Sequence, residues 1–162
     1  MHQLLEKFKH MVLDVTDKKL LNLLQHDSKK TTKQLSLQLN LSVTAVYERI
    51  KKLEKGKVIQ KYVAIINKNK IEKSFLVFCH IKLMQHSKDY VTTFEREVLK
   101  LEEVSECFHV SGEYDYILKV YVKDMDEYRE FMVKKLTAIK YIGSTHSTFA
   151  IEEVKNTTEI QV

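Results

Sequence analysis

The sequence predicts an α+β protein of two domains: an N-terminal three-helix helix-turn-helix domain of winged-helix-like type, followed by a ferredoxin-like βαββαβ domain. Three observations support this fold class. The stretch from Thr31 to Gly56 has the caps and apolar spacing of two helices joined by a tight turn. From residue 74 onward, strand-like and helix-like segments alternate in the order βαββαβ. The chain is also divided in charge, +9 over residues 1–70 and −4 over residues 71–162.

The first helix of the N-terminal bundle is predicted in the run DVTDKKLLNLLQHD, which begins at Asp14. Acidic residues at its front suit the positive end of a helix dipole, and four leucines behind them suit a core. Residues 1–13 are predicted to form an N-terminal extension with weak helical character, and we base no functional inference on it.

The helix-turn-helix itself can be assigned residue by residue. Thr31 and Gln34 are spaced as a capping box, and Asn40 stands where a left-handed residue is needed after the first helix of the motif. Ser42 is a suitable N-cap for the second helix, and Gly56 supplies its end. The buried stripe of this second helix is formed by apolar residues four and three apart: Val46, Ile50 and Leu53.

With that stripe turned inward, the opposite side of the helix presents hydroxyls, a phenol and cations, which suit DNA bases and phosphates. The candidate DNA-binding residues are Lys33, Ser42, Thr44, Tyr47, Glu48, Arg49, Lys51, Lys52 and Lys55. Two-fold symmetry would place two such helices about 34 Å apart on double-stranded DNA, so we expect a near-palindromic operator. The basic N-terminal half fits phosphate neutralisation, although lysine is also a common solubilising residue and Tyr47 could instead pack on the first helix of the motif.

After Gly56, the β-branched segment KVIQKYVAIIN predicts a strand leaving the bundle. We therefore divide the chain into a helix-turn-helix domain with its exit strand at 14–66, a linker at 67–73, a ferredoxin-like domain at 74–155 and a C-terminal tail at 156–162. In the ferredoxin-like domain we expect strands at 75–83, 104–111, 116–123 and 141–154, and helices at 87–101 and 124–139. The inner face of the second helix is predicted to hold Met125, Tyr128, Met132 and Leu136.

The predicted sheet has more apolar surface than one chain can bury. The row Tyr116, Leu118, Val120 and Val122 suits packing against helices, yet the opposite rows of the first and third strands include Leu76, Phe78, Ile117 and Tyr121. We therefore expect a second copy of the sheet to cover the other face, unless the sheet simply tolerates exposed apolar surface.

Composition narrows the possible compartments. There is no run of eighteen apolar residues, and Glu6, Lys7, Lys9 and His10 interrupt the first apolar stretch, so neither a membrane span nor a signal peptide is expected. Two cysteines cannot build a disulfide framework, and we expect both Cys79 and Cys107 to be buried thiols of a cytoplasmic protein.

Four runs together resemble the Lrp/AsnC (leucine-responsive, feast/famine) family of transcription regulators: LDVTDKKLLNLLQ, LSVTAVYERIKKLEKGKVI, VSGEYDYILKVYVKDMDEY and STHSTFAIEEVK. The resemblance covers nearly everything from Leu13 to Thr158. It implies a homodimer that often assembles into tetramers or octamers, and an amino acid or related metabolite bound between C-terminal domains. The effector-binding residues it implies are Gly112, Glu113, Tyr114, Asp115, Tyr116, Thr145, Ser147 and Thr148.

Physical chemistry is compatible with that implied site. A glycine allows close approach of backbone to a small ligand, and the Asp115 carboxylate can pair with an α-amino group; the alternative is that Asp115 stabilises the turn as an Asx residue. His146 stands where many relatives have an acidic residue, so the ligand set here departs from the usual one.

Two other classes of function compete with a DNA-binding regulator. No nucleophile elbow, phosphate loop or paired-carboxylate motif supports a ferredoxin-like enzyme, so we expect no catalytic residues and no cofactor. A metal-responsive regulator would draw on Cys79, His80, Cys107 and His109. Because period-two alternation places Cys79 and His80 on opposite faces, these four cannot converge on one ion, and no metal site is expected.

Overall fold

The computed structural model describes residues 11–162, and the first ten residues, where weak helical character is predicted, lie outside this range. The chain divides into two compact units. One comprises the chain up to Ala64 together with Lys155–Val162, and the other comprises Ile65–Val154.

The first unit is a three-helix bundle. Its helices are α1 (Val15–His26), α2 (Thr32–Leu39) and α3 (Val43–Lys55). Local signals set the helix starts: Asp14 and Asp17 form a reciprocal capping box on α1, Thr31 and Gln34 form another on α2, and the Ser42 hydroxyl accepts a hydrogen bond from Ala45 N–H at 3.1 Å. The core contains the fully buried side chains of Leu20, Val46 and Leu53, each worth about 1.5–3 kcal/mol of hydrophobic burial.

The two helix ends of the motif differ in how they turn. Asn40 adopts the left-handed conformation (φ 53°), as predicted, and its N–H bonds to the Ser36 carbonyl. Gly56 is the C-cap of α3 but keeps a negative φ of −75°, and the left-handed residue is Lys57 (φ 56°). The helix therefore ends at Lys55, with Gly56 as its C-cap as predicted, and the left-handed residue follows the cap.

The prediction of an exit strand after Gly56 is wrong for the single chain. Residues 57–67 are without regular structure, and Val63 and Ile65 are mostly exposed. A strand needs a neighbour that completes its hydrogen-bond ladder, and no strand of the described residues pairs with this segment. A short 3₁₀ turn, Lys68–Ile71, follows.

The second unit has the predicted βαββαβ order. Its elements are β1 (Phe75–Leu83), α4 (Lys88–Val98), β2 (Val104–His109), β3 (Tyr116–Val122), α5 (Met125–Phe131) and β4 (Ile142–Phe149). Within the described residues the strands form one antiparallel sheet in the order β2-β3-β1-β4, which is the ferredoxin-like topology. The second predicted helix is split, because a π-helical turn, Met132–Leu136, continues α5.

One face of this sheet packs against α4 and α5. Its row on β3 is Tyr116, Leu118, Val120 and Val122, as predicted, and all four are buried. Phe94, Phe131 and Leu136 pack on this row. Met125 is half exposed rather than on the inner face, since it lies in the first turn of α5.

The C-terminal tail belongs to the first unit and docks on α1. The Gln25 side chain and the Ile160 backbone exchange two hydrogen bonds of 2.8 Å each. Beside them, His26 Nδ1 lies 3.4 Å from a carboxylate oxygen of Glu159. The helical bundle is thus completed by residues from the far end of the chain.

Candidate functional site

The solvent face of α3 carries the side chains expected to meet DNA. Val46 and Leu53 anchor the opposite side of the helix in the core. The exposed predicted residues on and around this face are Lys33, Ser42, Thr44, Tyr47, Glu48, Lys51, Lys52 and Lys55. This arrangement offers a hydroxyl, a phenol and three closely spaced ammonium groups on a rigid helix, which suits contacts to a phosphate backbone.

Arg49 differs from the rest of this set because it is engaged within the bundle. Its Nη1 donates to Asp14 Oδ2 at 2.7 Å and to Asp17 Oδ1 at 2.6 Å. The Asp17 side chain is fully buried, and the pair lowers the cost of that burial. Arg49 therefore locks α3 against the start of α1, and sequence reasoning missed this because the partner lies 32 residues away.

The lysines of α3 sit in a mixed electrostatic setting. Lys51 contacts Glu54 at 3.1 Å and lies 5.6 Å from the centre of the Tyr47 ring, and the hydrogen bond to Glu54 raises the pKa of Lys51. Lys52 is 3.7 Å from the buried Asp17. Lys55 lines an open groove of about 450 Å³ with Lys51 and Lys52, a concave basic surface at the C-terminal end of the helix.

The predicted effector turn follows β2. Gly112 has a φ of +128°, a conformation that favours glycine. Asp115 is buried, and its Oδ2 accepts a 2.7 Å hydrogen bond from Leu83 N–H while Oδ1 lies 3.2 Å from His86 Nδ1. The Asp115 carboxylate therefore ties the turn to the end of β1 through a long-range hydrogen bond, which differs from a local Asx turn.

The structure does not bring all eight predicted effector residues together. Tyr116, Thr145 and Ser147 lie on the helix-facing rows of the sheet, as the register with Ile81 and Cys79 shows. Thr148 pairs with Phe78 on the other face. The remaining four occupy the turn, with Gly112 and Glu113 exposed, Tyr114 partly buried and Asp115 buried.

The inward residues make hydrogen bonds with the helices. The Tyr116 hydroxyl donates to Glu95 at 2.9 Å, and the Tyr128 hydroxyl contacts both the Ser147 hydroxyl and the Cys79 thiol. Burial raises the pKa of both tyrosines well above the usual range. Tyr116 and Ser147 therefore already have hydrogen-bond partners on the helix-facing side of the sheet.

The open face of the sheet carries a mixed surface. Phe78, Ile117 and Tyr121 lie there partly buried, and Phe108 on the edge strand β2 is about half exposed. His80 and His146 are directly paired across β1 and β4, and the Tyr114 ring lies against both. Sequence reasoning missed this cluster, because it depends on strand register.

The four residues considered for a metal site are dispersed. Cys79 is fully buried beside Tyr128, while Cys107 is exposed, contrary to the expectation that both thiols are buried. Cys107 is exposed because β2 is an edge strand with little cover. Within residues 11–162, no three His, Cys, Asp or Glu side chains are grouped so as to hold a metal ion.

No helix in that range is long and apolar enough to cross a membrane.

Comparison with known families gives two matches that together span most of the chain. Residues 13–54 match the AsnC-type helix-turn-helix domain, and residues 76–160 match the Lrp/AsnC ligand binding domain. The leucine-responsive regulatory protein of Escherichia coli K12 is 37% identical over 150 residues, covering 93% of this chain and 92% of that protein.

Solved structures agree with these matches. A transcriptional regulator from Neisseria meningitidis, determined as a complex with L-methionine, superposes with a TM-score of 0.88 at 30% identity, covering 92% of this chain and 96% of that one. An AsnC family regulator from Agrobacterium tumefaciens gives a TM-score of 0.88 at 34% identity, with coverage of 91% and 96%. Escherichia coli AsnC, at 21% identity and a TM-score of 0.85, shares the fold over 92% of this chain and 99% of its own.

Proposed function

This chain belongs to the Lrp/AsnC family of DNA-binding transcription regulators, and we propose that it binds a near-palindromic operator as a homodimer or larger assembly whose DNA affinity responds to an amino acid. The exposed face of α3, with its three lysines, carries this proposal. We propose a cytoplasmic location and no catalytic role.

DNA reading is assigned to the solvent face of α3 in the major groove. Thr44, Tyr47 and Glu48 offer base-edge or sugar contacts, while Lys51, Lys52 and Lys55 reach phosphates, flanked by Lys33. Ser42 caps the start of α3, and Arg49 holds α3 against the start of α1, so both are proposed to position the helix rather than to contact bases directly.

The test is the salt dependence of operator binding. Lys51→Ala and Lys55→Ala should each weaken binding to all sequences and reduce the slope of log affinity against log salt by about one. Lys100→Ala, a change of an exposed lysine in the second unit, is the matched control. A slope unchanged by both α3 variants would remove these lysines from the interface.

Self-association is assigned to the open face of the sheet. Phe78 and Ile117 are diagonal neighbours there, since the β1/β3 register pairs Phe78 with Lys119 and His80 with Ile117. A second copy of this face would remove both side chains from water. Sedimentation should show that Ile117→Lys dissociates the assembly, whereas Lys82→Ala at the exposed end of the same face leaves it intact.

The effector is proposed to be an amino acid or related metabolite bound at an interface between second units, with Tyr114 and Thr148 at its edge. Support comes from the match to the Lrp/AsnC ligand binding domain and from the methionine-bound relative. Binding there would favour one assembly or one dimer-to-dimer angle, and so change the spacing of the two α3 helices. Thr145, Ser147, Tyr116 and Asp115 would shape the site from beneath through their bonds to the helices and to β1.

A thermal-shift screen of the amino acids tests this proposal, since a specific ligand stabilises the folded state by mass action. The ligand found should then change the sedimentation of the assembly or its operator affinity. A ligand that binds without changing either would contradict the coupling, and an absence of any stabilising amino acid would contradict the effector class.

A further inference from the structure

Two chain connections join the two units, and side chains from both meet on the sheet. The incoming connection includes the 3₁₀ turn Lys68–Ile71, and the returning connection follows β4 and includes Glu153. Lys68 Nζ lies 3.0 Å from Glu153 Oε2 and 2.6 Å from the hydroxyl of Tyr121 on β3. The Tyr121 hydroxyl in turn donates to Glu153 Oε1 at 3.1 Å. Segments up to 85 residues apart in sequence are therefore joined at one point.

This cluster is shielded and is placed by the backbone. The side chains of Lys68 and Glu153 are 26% and 32% exposed, and Lys68 Nζ lies 4.2 Å from the centre of the Tyr121 ring. The returning chain is aligned by a hydrogen bond of 3.1 Å from Ala150 N–H to the Leu76 carbonyl, and Leu76 pairs with Tyr121 in the β1/β3 register. Charge-assisted hydrogen bonds with restricted access to water are stronger than those of exposed ion pairs, so the cluster resists opening.

The incoming connection is held at two further points. Glu72 Oε2 lies 3.1 Å from Lys123 Nζ, and Lys73 forms an ion pair with Glu127 of α5. The segment predicted to be a linker, 67–73, is therefore attached to the sheet unit near both of its ends.

The unattached part of the incoming connection is short. On the bundle side, the Tyr62 hydroxyl donates to Glu54 of α3 at 3.1 Å. The next residues, 63–66, make no hydrogen bond with any described residue, and Val63 and Ile65 are mostly exposed. Rotation about the backbone bonds of 63–66 breaks no contact of this kind, whereas movement of 67–73 would break three ion pairs.

We propose that Lys68, Tyr121 and Glu153 form a clasp that fixes both connections on the sheet, so that movement between the units is confined to residues 63–66 and to the returning residues after Glu153. Hinge motion in proteins is absorbed by a few backbone positions of this kind. The clasp is a positioning device, because it limits the positions that each α3 helix can take within an assembly.

The clasp is compatible with self-association through the open face. It occupies the Tyr121 corner of that face and needs no access to water, and it leaves Phe78 and Ile117 for the second copy. The clasp stands on its own contacts, whereas its consequence for operator spacing rests on the proposed function.

Hydrogen exchange of the full-length protein, measured by mass spectrometry, tests the clasp. Lys68→Met should speed exchange in the peptide that contains Ala150, and Glu153→Gln should speed exchange in the turn Lys68–Ile71, each by roughly two- to tenfold. The matched control is Lys70→Met, which changes an exposed lysine of the same turn and should leave exchange around Ala150 unaltered. A change in the segment that was not mutated distinguishes a clasp from local loosening.

A charge-swapped variant guards against misfolding of the single variants. Lys68→Glu combined with Glu153→Lys restores opposite charges and should recover protection in both segments. Exchange unchanged in both single variants, or protection lost equally in the swapped pair and the single variants, would overturn the clasp.

The spacing of DNA half-sites tests the positioning role. On an operator selected from random-sequence DNA by the unaltered protein, inserting about five base pairs between the half-sites should weaken binding by roughly tenfold or more. Lys68→Met should reduce this penalty several-fold. An equal penalty in the variant would overturn the positioning role. Failure of the unaltered protein to select any DNA would instead contradict the proposed function, and the exchange measurement would still decide the clasp.

Discussion

Replacing Arg49 with alanine should destabilise the first unit strongly, because it strands a buried charge. The Arg49 side chain is 29% exposed and Asp17 is fully buried, so their 2.6 Å contact is largely shielded from water. Two charge-assisted hydrogen bonds would be lost, and among the described residues the Asp17 carboxylate would keep the Asp14 backbone N–H at 3.3 Å and Lys52 at 3.7 Å. We expect a loss of about 2–4 kcal/mol in the free energy of unfolding.

Such a loss should lower the melting temperature of the helical unit by about 10–20 °C. The protein contains no tryptophan, so far-UV circular dichroism is the suitable probe, with hydrogen exchange of peptides from α3 to assign the transition to this unit. Arg96→Ala, which removes an exposed pair with Glu97, is the control and should change stability by no more than about 1 kcal/mol.

A second substitution at Arg49 distinguishes a structural role of this residue from a direct contact with DNA. Arg49→Lys keeps the positive charge but loses the two-pronged contact, so it should destabilise the unit while leaving the salt slope of DNA binding intact. Full stability in Arg49→Ala would refute the reasoning, since it would mean that Asp17 does not depend on this partner.

Three further outcomes are expected. Asn40→Val should lower the free energy of unfolding by about 1–2 kcal/mol in urea titrations while Asn40→Gly should not, because residue 40 has a positive φ. The Asp17 backbone N–H and Arg49 hold the pKa of Asp14 below its usual 3.8. The ionised carboxylate therefore stabilises the fold at neutral pH, and Asp14→Asn should lower the free energy of unfolding there. In parallel urea titrations this difference from the unaltered protein should shrink as the pH falls below 3.8. A maleimide should label Cys107 but not Cys79 in the native protein, whereas both thiols should be labelled in urea. Mass spectrometry of digests measures the labelling. Rapid labelling of Cys79 in the native protein would contradict its burial.

Features governed by neighbouring residues were predictable from the sequence. The capping box of Thr31 and Gln34, the Ser42 cap and the left-handed Asn40 depend on residues within a few positions, and the structure has all of them. The strand order of the second unit followed from alternation and element order, since few topologies connect βαββαβ compactly.

Features governed by distant residues were not predictable in this way. The β-branched residues at 57–67 predict a strand, but composition does not show whether another strand is available to pair with it, and none of the described strands does. The Arg49–Asp17 contact and the His80–His146 pair depend on how helices cross and strands register, which period and propensity do not encode. By contrast, the placement of Thr148 on the face opposite to Thr145 and Ser147 follows from simple alternation along β4, which a sequence does encode.

The docking of Ile160 on Gln25 has a consequence for the order in which the chain folds. During synthesis the three helices emerge before the tail, so they are first present without the segment that docks on α1. The residues of the sheet unit, Ile65–Val154, are synthesised before the tail that returns to α1. The polypeptide therefore crosses between the units twice, and the contact between α1 and the tail forms only after residue 160 has been synthesised.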